Sequence, residues 1–193
     1  SNELIFATVS SAGAIGGVVG GLIMSAWGGP KRKVYGVLGG WALSSLLGTF
    51  LMGLGRSLPV WAVASFCDAF FVPILNGSNQ AIWQAKVAPD LQGRVFSIRR
   101  VIAWFVTPLA TLIAGPLADF VMEPAMRTNA ALANTASPLV GSGTGAGISL
   151  IFIFCGIGGM MVALAGYLTP VIRDVEILMP DFDTAEMPAA ALP

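Results

Sequence analysis

The stretch "SFCDAFFVPILNGSNQAIWQ", residues 65–84, sets one carboxylate, Asp68, and four side-chain amides, Asn76, Asn79, Gln80 and Gln84, into a run otherwise apolar enough to cross a membrane. A carboxylate can bind and release a proton or hold a cation, and amides can both donate and accept hydrogen bonds to a polar solute. Asp68 lies nine residues after Pro59, about 14 Å along a helix axis and so near the middle of a bilayer. Asp68 and Asn79 are eleven residues apart, which at about 100° per residue leaves them only about 20° apart around a helix, with Asn76 about 80° round the same side. Gln80 falls at the margin of this stripe and Gln84 reaches the membrane surface. A charge at that depth costs a few kcal/mol or more unless it faces a cavity or a partner, so the stripe is expected to face a bundle interior. Two readings follow: a path for a solute or proton, or a buried structural hydrogen-bond network with Asp68 protonated or paired.

The rest of the chain is built to hold such a stripe in lipid. Of 193 residues, 55% are hydrophobic and 10% charged, with a mean hydropathy of +0.80, a composition foreign to water-soluble domains. Five runs reach the length of a membrane-spanning helix: Leu4 to Trp27, Val34 to Gly55, Pro59 to Ala85, Val101 to Ala118 and Gly147 to Ile172. Lipid cannot satisfy free backbone groups, and these runs lack the strict alternation of barrel strands, so they are expected to be helices. The expected fold is an all-α integral membrane bundle over residues 1–172, followed by an acidic tail at 173–193 in which Asp174, Glu176, Asp181, Asp183 and Glu186 sit among prolines as a solvated tether.

Several chemistries are excluded. The chain has no histidine, and Cys67 and Cys155 both fall within spans, so neither a zinc site nor His-based catalysis is expected. No nucleophile–base pair is visible, which argues against an enzyme, and no cofactor is implied. Net charge is zero, so no nucleic-acid partner is expected, whereas membrane lipid is. Ser1–Asn2–Glu3 leads straight into a full-length apolar run without the basic start of a cleaved signal peptide.

The connections differ in character. "GGPKRK" is a Gly-Pro turn with three cations, and "RSLP" is a minimal hairpin between the second and third runs. "KVAPDLQGRVFSIRR" is a basic loop leading into an amphipathic helical start, and the Ser-, Thr-, Asn- and Gly-rich stretch after Met122 reads as a longer outer loop. In the first run Gly13, Gly16, Gly17, Gly20 and Gly21 are spaced for close approach of another helix, either as static packing or as a moving interface. Trp61 and Trp83 stand near the two ends of the third run, as interfacial anchors do.

"GLIMSAWGGPKRK" resembles the loop signature of the major facilitator superfamily. Gly21, Gly28, Lys31, Arg32 and Lys33 match it, and Ser25 stands where the family usually carries an aspartate. "QAIWQAKVAPDLQGRVFSIRR" and "IAGPLADFVMEPAM" resemble the macrolide-efflux-like branch of drug exporters, relatives of the enterobactin exporters. The resemblance implies that the five runs correspond to helices eight to twelve of a twelve-helix bundle in a plasma (inner) membrane, with an N-terminal half and helix seven expected before Ser1. It further implies proton-coupled export by alternating access. Asp68 would then be a proton or cation site, Asn76, Asn79 and Gln80 cavity groups, and the Lys31–Lys33 loop a cytoplasmic latch. Arg94 in "QGRV" and Asp119 in "GPLAD" match helix-end motifs of the family. Pro108, Gly115 and Pro116 mark a helix able to bend and partly resemble the proline-glycine antiporter motif of the first half.

Three readings of function remain at this stage: a proton-coupled exporter of drugs or natural products; a transporter of the same superfamily for a lysophospholipid or siderophore; and a non-transporting module for interaction or sensing. All place a small-molecule substrate or a partner within the bilayer. The charges fix an orientation. With the first loop cytoplasmic, Lys31, Arg32, Lys33, Lys86, Arg94, Arg99, Arg100 and Arg173 lie inside against Arg56 and Arg127 outside, so Ser1 is outside and the C-terminus cytoplasmic. A cysteine placed between Asn129 and Ser142 should therefore react with a membrane-impermeant maleimide added from outside; labelling only from the cytoplasmic face would reverse the orientation.

Overall fold

The computed structural model describes residues 2–128, 137, 139–141 and 145–182. Most of the expected outer loop and the far end of the acidic tail lie outside the described residues. Within them every regular element is helical, and five helices are long and apolar enough to cross a membrane: Asn2–Trp27, Lys33–Leu54, Leu58–Lys86, Pro89–Met126 and Ala146–Leu168. They are called the first to fifth spans below.

Three boundaries have local causes. The first span ends where Gly28 and Gly29 take φ of 75° and 80°. These left-handed conformations are ones glycine adopts without penalty, and they let the Gly28 amide close back onto the Met24 carbonyl at 2.8 Å as a helix C-cap. The fifth span stops at Leu168, short of Ile172, because Thr169 precedes Pro170 and is extended at φ −86° and ψ 109°, away from the helical region that proline disfavours in its predecessor. The fourth span starts at Pro89 rather than at Val101, so the basic stretch "PDLQGRVFSIRR" is helical and continuous with the apolar run. Proline in the first turn suits a helix start, and the Gln92 side-chain amide donates to the carbonyls of Gln84 and Val87 at 3.1 and 3.0 Å, closing the end of the third span beside it.

The third span is the hub. The first span packs along one side of it, and the second span packs along another. The fifth span packs on the second. Most interior positions are small: Gly16, Gly20, Gly36, Gly40, Gly48, Ala64, Ser78, Gly156 and Ala163 are buried, while large apolar side chains such as Phe6, Leu22, Trp104, Phe105 and Leu164 are exposed. That is the arrangement of a bundle whose outer surface meets lipid, where close approach over small residues replaces a water-driven core.

The glycines of the first span divide into two registers. Gly13, Gly16 and Gly20 lie against the third span, and a methyl group on Gly16 or Gly20 would overlap the backbone carbonyl of Phe66 or Phe70. Gly21 has open space where its methyl would go, and Gly17 meets nothing nearer than 3.9 Å. Only the first register is packing in this chain.

The fourth span stands apart. Every residue from Val101 to Pro116 is exposed, and its contacts with the bundle come from its two ends; at the far end Met126 is buried with Ala146 and Leu150 of the fifth span. At the near end the Arg99 guanidinium sits 4.4 Å from the Trp83 ring centroid, a cation–π contact that ties the helix to the end of the third span.

The two glycine registers give a paired prediction. Gly20→Ala forces backbone apart and should cost about 1–3 kcal/mol of stability, the scale of overpacking, whereas Gly21→Ala should change stability by less than about 1 kcal/mol and in the favourable direction, because alanine is the better helix former. Unfolding of both variants in detergent micelles checks this, and equal effects would refute the assignment of registers.

Candidate functional site

Asp68 is half-buried on the side of the third span that faces the second. Its Oδ1 accepts a hydrogen bond from Ser44 Oγ at 2.6 Å. Two features of the second span make room for this. Ser44 opens a π-helical segment, Ser44–Phe50, one residue per turn wider than the α-helix on either side and a recurrent device at functional sites. Gly48, in the same segment, carries no side chain where a Cβ would come within 2.6 Å of Asp68 Oδ1. Ser45, the next residue, is buried on the opposite side against Gly159 of the fifth span. The widened turn thus presents one hydroxyl to each neighbouring span.

The amides expected to share a face with Asp68 part from it. With Asp68 as origin, the first span meets the third through Phe66 and Phe70, about 160° to either side, and nearer the start of the third span through Ser65 at about +60°, while the second span meets it through Asp68 itself, Leu75 and Ser78, within about 80° on the negative side. Asn76 at about +80° and Gln80 at about +120° lie further along the helix than the Ser65 contact, and both are exposed, as is Gln84. Asn79 is half-buried beside Asp68's direction. The stripe therefore runs along an edge of the hub helix that the described residues leave uncovered, with only Asp68 tucked against a neighbour. Two apolar cavities among the described residues lie elsewhere, one of 310 Å³ between Leu38, Ala42, Met160 and Tyr167 and one of 460 Å³ between Ile5, Met52, Trp61 and Phe152.

The two helix-end residues do not join this group. Arg94 is exposed near the start of the fourth span, and Asp119 is exposed in a second π-helical segment, Leu117–Met122, that follows Pro116 directly. Among the described residues no three His, Cys, Asp or Glu side chains form a group able to hold a metal ion.

The basic loop is not a free patch. Lys33 Nζ donates to the Gly28 carbonyl at 2.7 Å, fixing the turn that Gly28 and Gly29 make. Arg32 reaches Tyr35 Oη at 3.2 Å and Asp174 Oδ1 at 3.5 Å, and Tyr35 lies with its ring centroid 6.0 Å from that of Tyr167. Lys31 is exposed. The acidic residues after the fifth span, read from sequence as a solvated tether, are held against this loop at Asp174 and Glu176 and against Lys86 at Asp181. Two helical turns, Pro170–Arg173 and Val175–Leu178, fold them back. Sequence reasoning passed over Ser44, Gly48 and Glu176; of these only Glu176 had a signal, an acid able to reach a helix start flanked by three cations.

Comparison of the chain with known proteins finds no match: no family model, no curated protein and no solved structure.

Asp174 lies outside the spans, and the hydrogen bond from Arg173, at 3.0 Å, is the main influence on it. It holds the carboxyl below its ordinary value of 3.8, assisted by the charges of Arg173 and Arg32 and opposed by partial desolvation. A depressed carboxylate contributes stability that is fully present above its unfolded value and is lost only as pH falls through the lower folded value. Acidification to about pH 5 should therefore leave the Asp174 contacts intact, since the ordinary carboxylate range lies lower. Carboxyl NMR titration checks this, and a midpoint at or above 3.8 would refute it.

Proposed function

We propose that this chain is part of a secondary active transporter of the major facilitator superfamily, in the macrolide-efflux-like branch, exporting drugs or natural products against a proton gradient. The observation that carries the proposal is the half-buried Asp68 carboxylate in mid-span, held by Ser44 at 2.6 Å on a widened helical turn, with Asn76 and Gln80 on an adjoining uncovered edge. An uncovered polar edge on the central helix of a lipid-facing bundle calls for a polar or aqueous neighbour, because lipid satisfies none of its hydrogen bonds. A facing half-bundle would enclose that edge as a central cavity, and the five spans would be helices eight to twelve of the complete transporter in the plasma membrane, with the basic loop and C-terminus cytoplasmic.

The residues would divide the work as follows. Asp68 takes up and releases a proton as the cavity turns from one side to the other. Its bond to Ser44 gives the ionised carboxylate a donor in a place otherwise poor in them, so the change of charge is felt by the second span at its widest turn. Asn76, Asn79 and Gln80 offer donors and acceptors to the solute. A lysophospholipid or siderophore would use the same geometry with a different cavity lining.

In the full-length protein Asp68→Asn keeps the shape of the side chain and removes its titration. It should abolish or strongly reduce gradient-driven export at matched expression, with normal membrane insertion, while Asp119→Asn, away from the site, should do much less. Drug accumulation in energised cells measures both. Unchanged export by Asp68→Asn would return the carboxylate to a structural role.

A further inference from the structure

Six polar contacts, each bridging residues far apart in sequence, converge where the fifth span ends. The Glu176 carboxylate accepts from the backbone amide of Lys33 through Oε1 and from that of Val34 through Oε2, each at 3.0 Å. These are the first amides of the second span, Lys33–Leu54, whose preceding residue Arg32 supplies no side-chain cap. Helix starts leave such amides without intrahelical partners and carry a partial positive charge. A carboxylate spread over two of them is a charge-assisted pair of bonds, the strong kind. Beside it Asp174 meets Arg32 at 3.5 Å. On the other flank Lys86, the last residue of the third span, donates to the carbonyls of Glu176, at 3.5 Å, and Met179, and to Asp181 Oδ1 at 3.2 Å. The Lys86 side chain is 12% exposed, so its charge is largely withdrawn from water and depends on these acceptors.

We propose that residues 174–181 form a clamp that fastens the start of the second span and the end of the third to the end of the fifth. The clamp is chemically of one piece. Glu176 uses its side chain on the second span and its carbonyl on the third, so releasing either grip loosens the other. The segment is short, lies at one end of the bundle and exposes Ile177, Leu178 and Met179, the features of a low-stability unit able to open while the spans stay folded. Its opening is required before the three helix ends can separate. The clamp does not rest on the transport reading, because every contact in it lies within the chain.

The test uses the chain in lipid nanodiscs, with Cys67→Ser and Cys155→Ser and a spin label on Leu178→Cys, a position whose side chain is exposed in the clamp. Electron paramagnetic resonance gives the ratio of mobile to ordered label. Glu176→Ala removes the grip on the second span, and Lys86→Gln removes the grip on the third while leaving the tail's sequence intact. Each should raise that ratio about tenfold, as the loss of one charge-assisted contact implies, with helical content unchanged by circular dichroism. Glu3→Gln, at the far end of the first span, should leave it unchanged. Ratios within about twofold of the parent in both variants, inside the scatter expected of a substitution that removes no interaction, would overturn the proposal. Release by Glu176→Ala with Lys86→Gln behaving as the parent would also overturn it, since the contact would then be a helix cap and no more.

Discussion

The bundle depends on how closely two helices can approach the third span. Lipid offers no hydrophobic gain for helix association, so attraction must come from packing at short range and from polar contacts. Gly13, Gly16 and Gly20 of the first span and Gly36, Gly40 and Gly48 of the second supply that range by presenting backbone where side chains would stand. Once the second span is that close, Asp68 has no choice of environment. Its carboxylate lies in the notch over Gly48, and Ser44 is the donor within reach. Packing and polarity are therefore one constraint: the glycine that permits the contact also places the charge.

The five long helices were legible because length and apolarity are local properties, and a run of about 20 apolar residues has few other structures open to it. Their ends were legible where a single residue decides them, as at Gly28. The place of Asp68 along the third span, Leu58–Lys86, was legible for the same reason. What Asp68 touches was not, since no residue near it signals that the second span widens at Ser44. The stripe reading placed Asn76 with Asp68 from helical angles alone; the flanking helices leave Asn76 exposed while Asp68 is half-buried. Which face of a helix is inside depends on where its neighbours lie, and that is a property of the whole bundle.

The acidic tail shows another limit. Prolines and like charges in a short segment describe a chain that gains little by folding on itself. The segment folds instead on something distant, 143 residues away for Glu176 and Lys33. The three cations of the first loop and the carboxylates after the fifth span were each plain in the sequence as separate runs of charge. Their meeting follows from the even number of spans between them, the second to the fifth, which brings the loop and the tail to the same end of the bundle.

The fourth span, 38 residues from Pro89 to Met126, is about 57 Å long at 1.5 Å per residue, against a hydrocarbon thickness of about 30 Å. Such a mismatch is relieved by tilting, by bending or by leaving part of the helix in the headgroup layer. The sequence of the helix favours two of these together. Arg94, Arg99 and Arg100 occupy its first turns, suited to phosphates rather than acyl chains, and Pro116 with the widened turn from Leu117 to Met122 supplies a joint near the other end. The surplus length is thereby divided between a charged float and an elbow, and the apolar stretch left between them, Val101 to Pro116, is about 24 Å long, which reaches the hydrocarbon thickness only when apolar residues of the elbow itself are added.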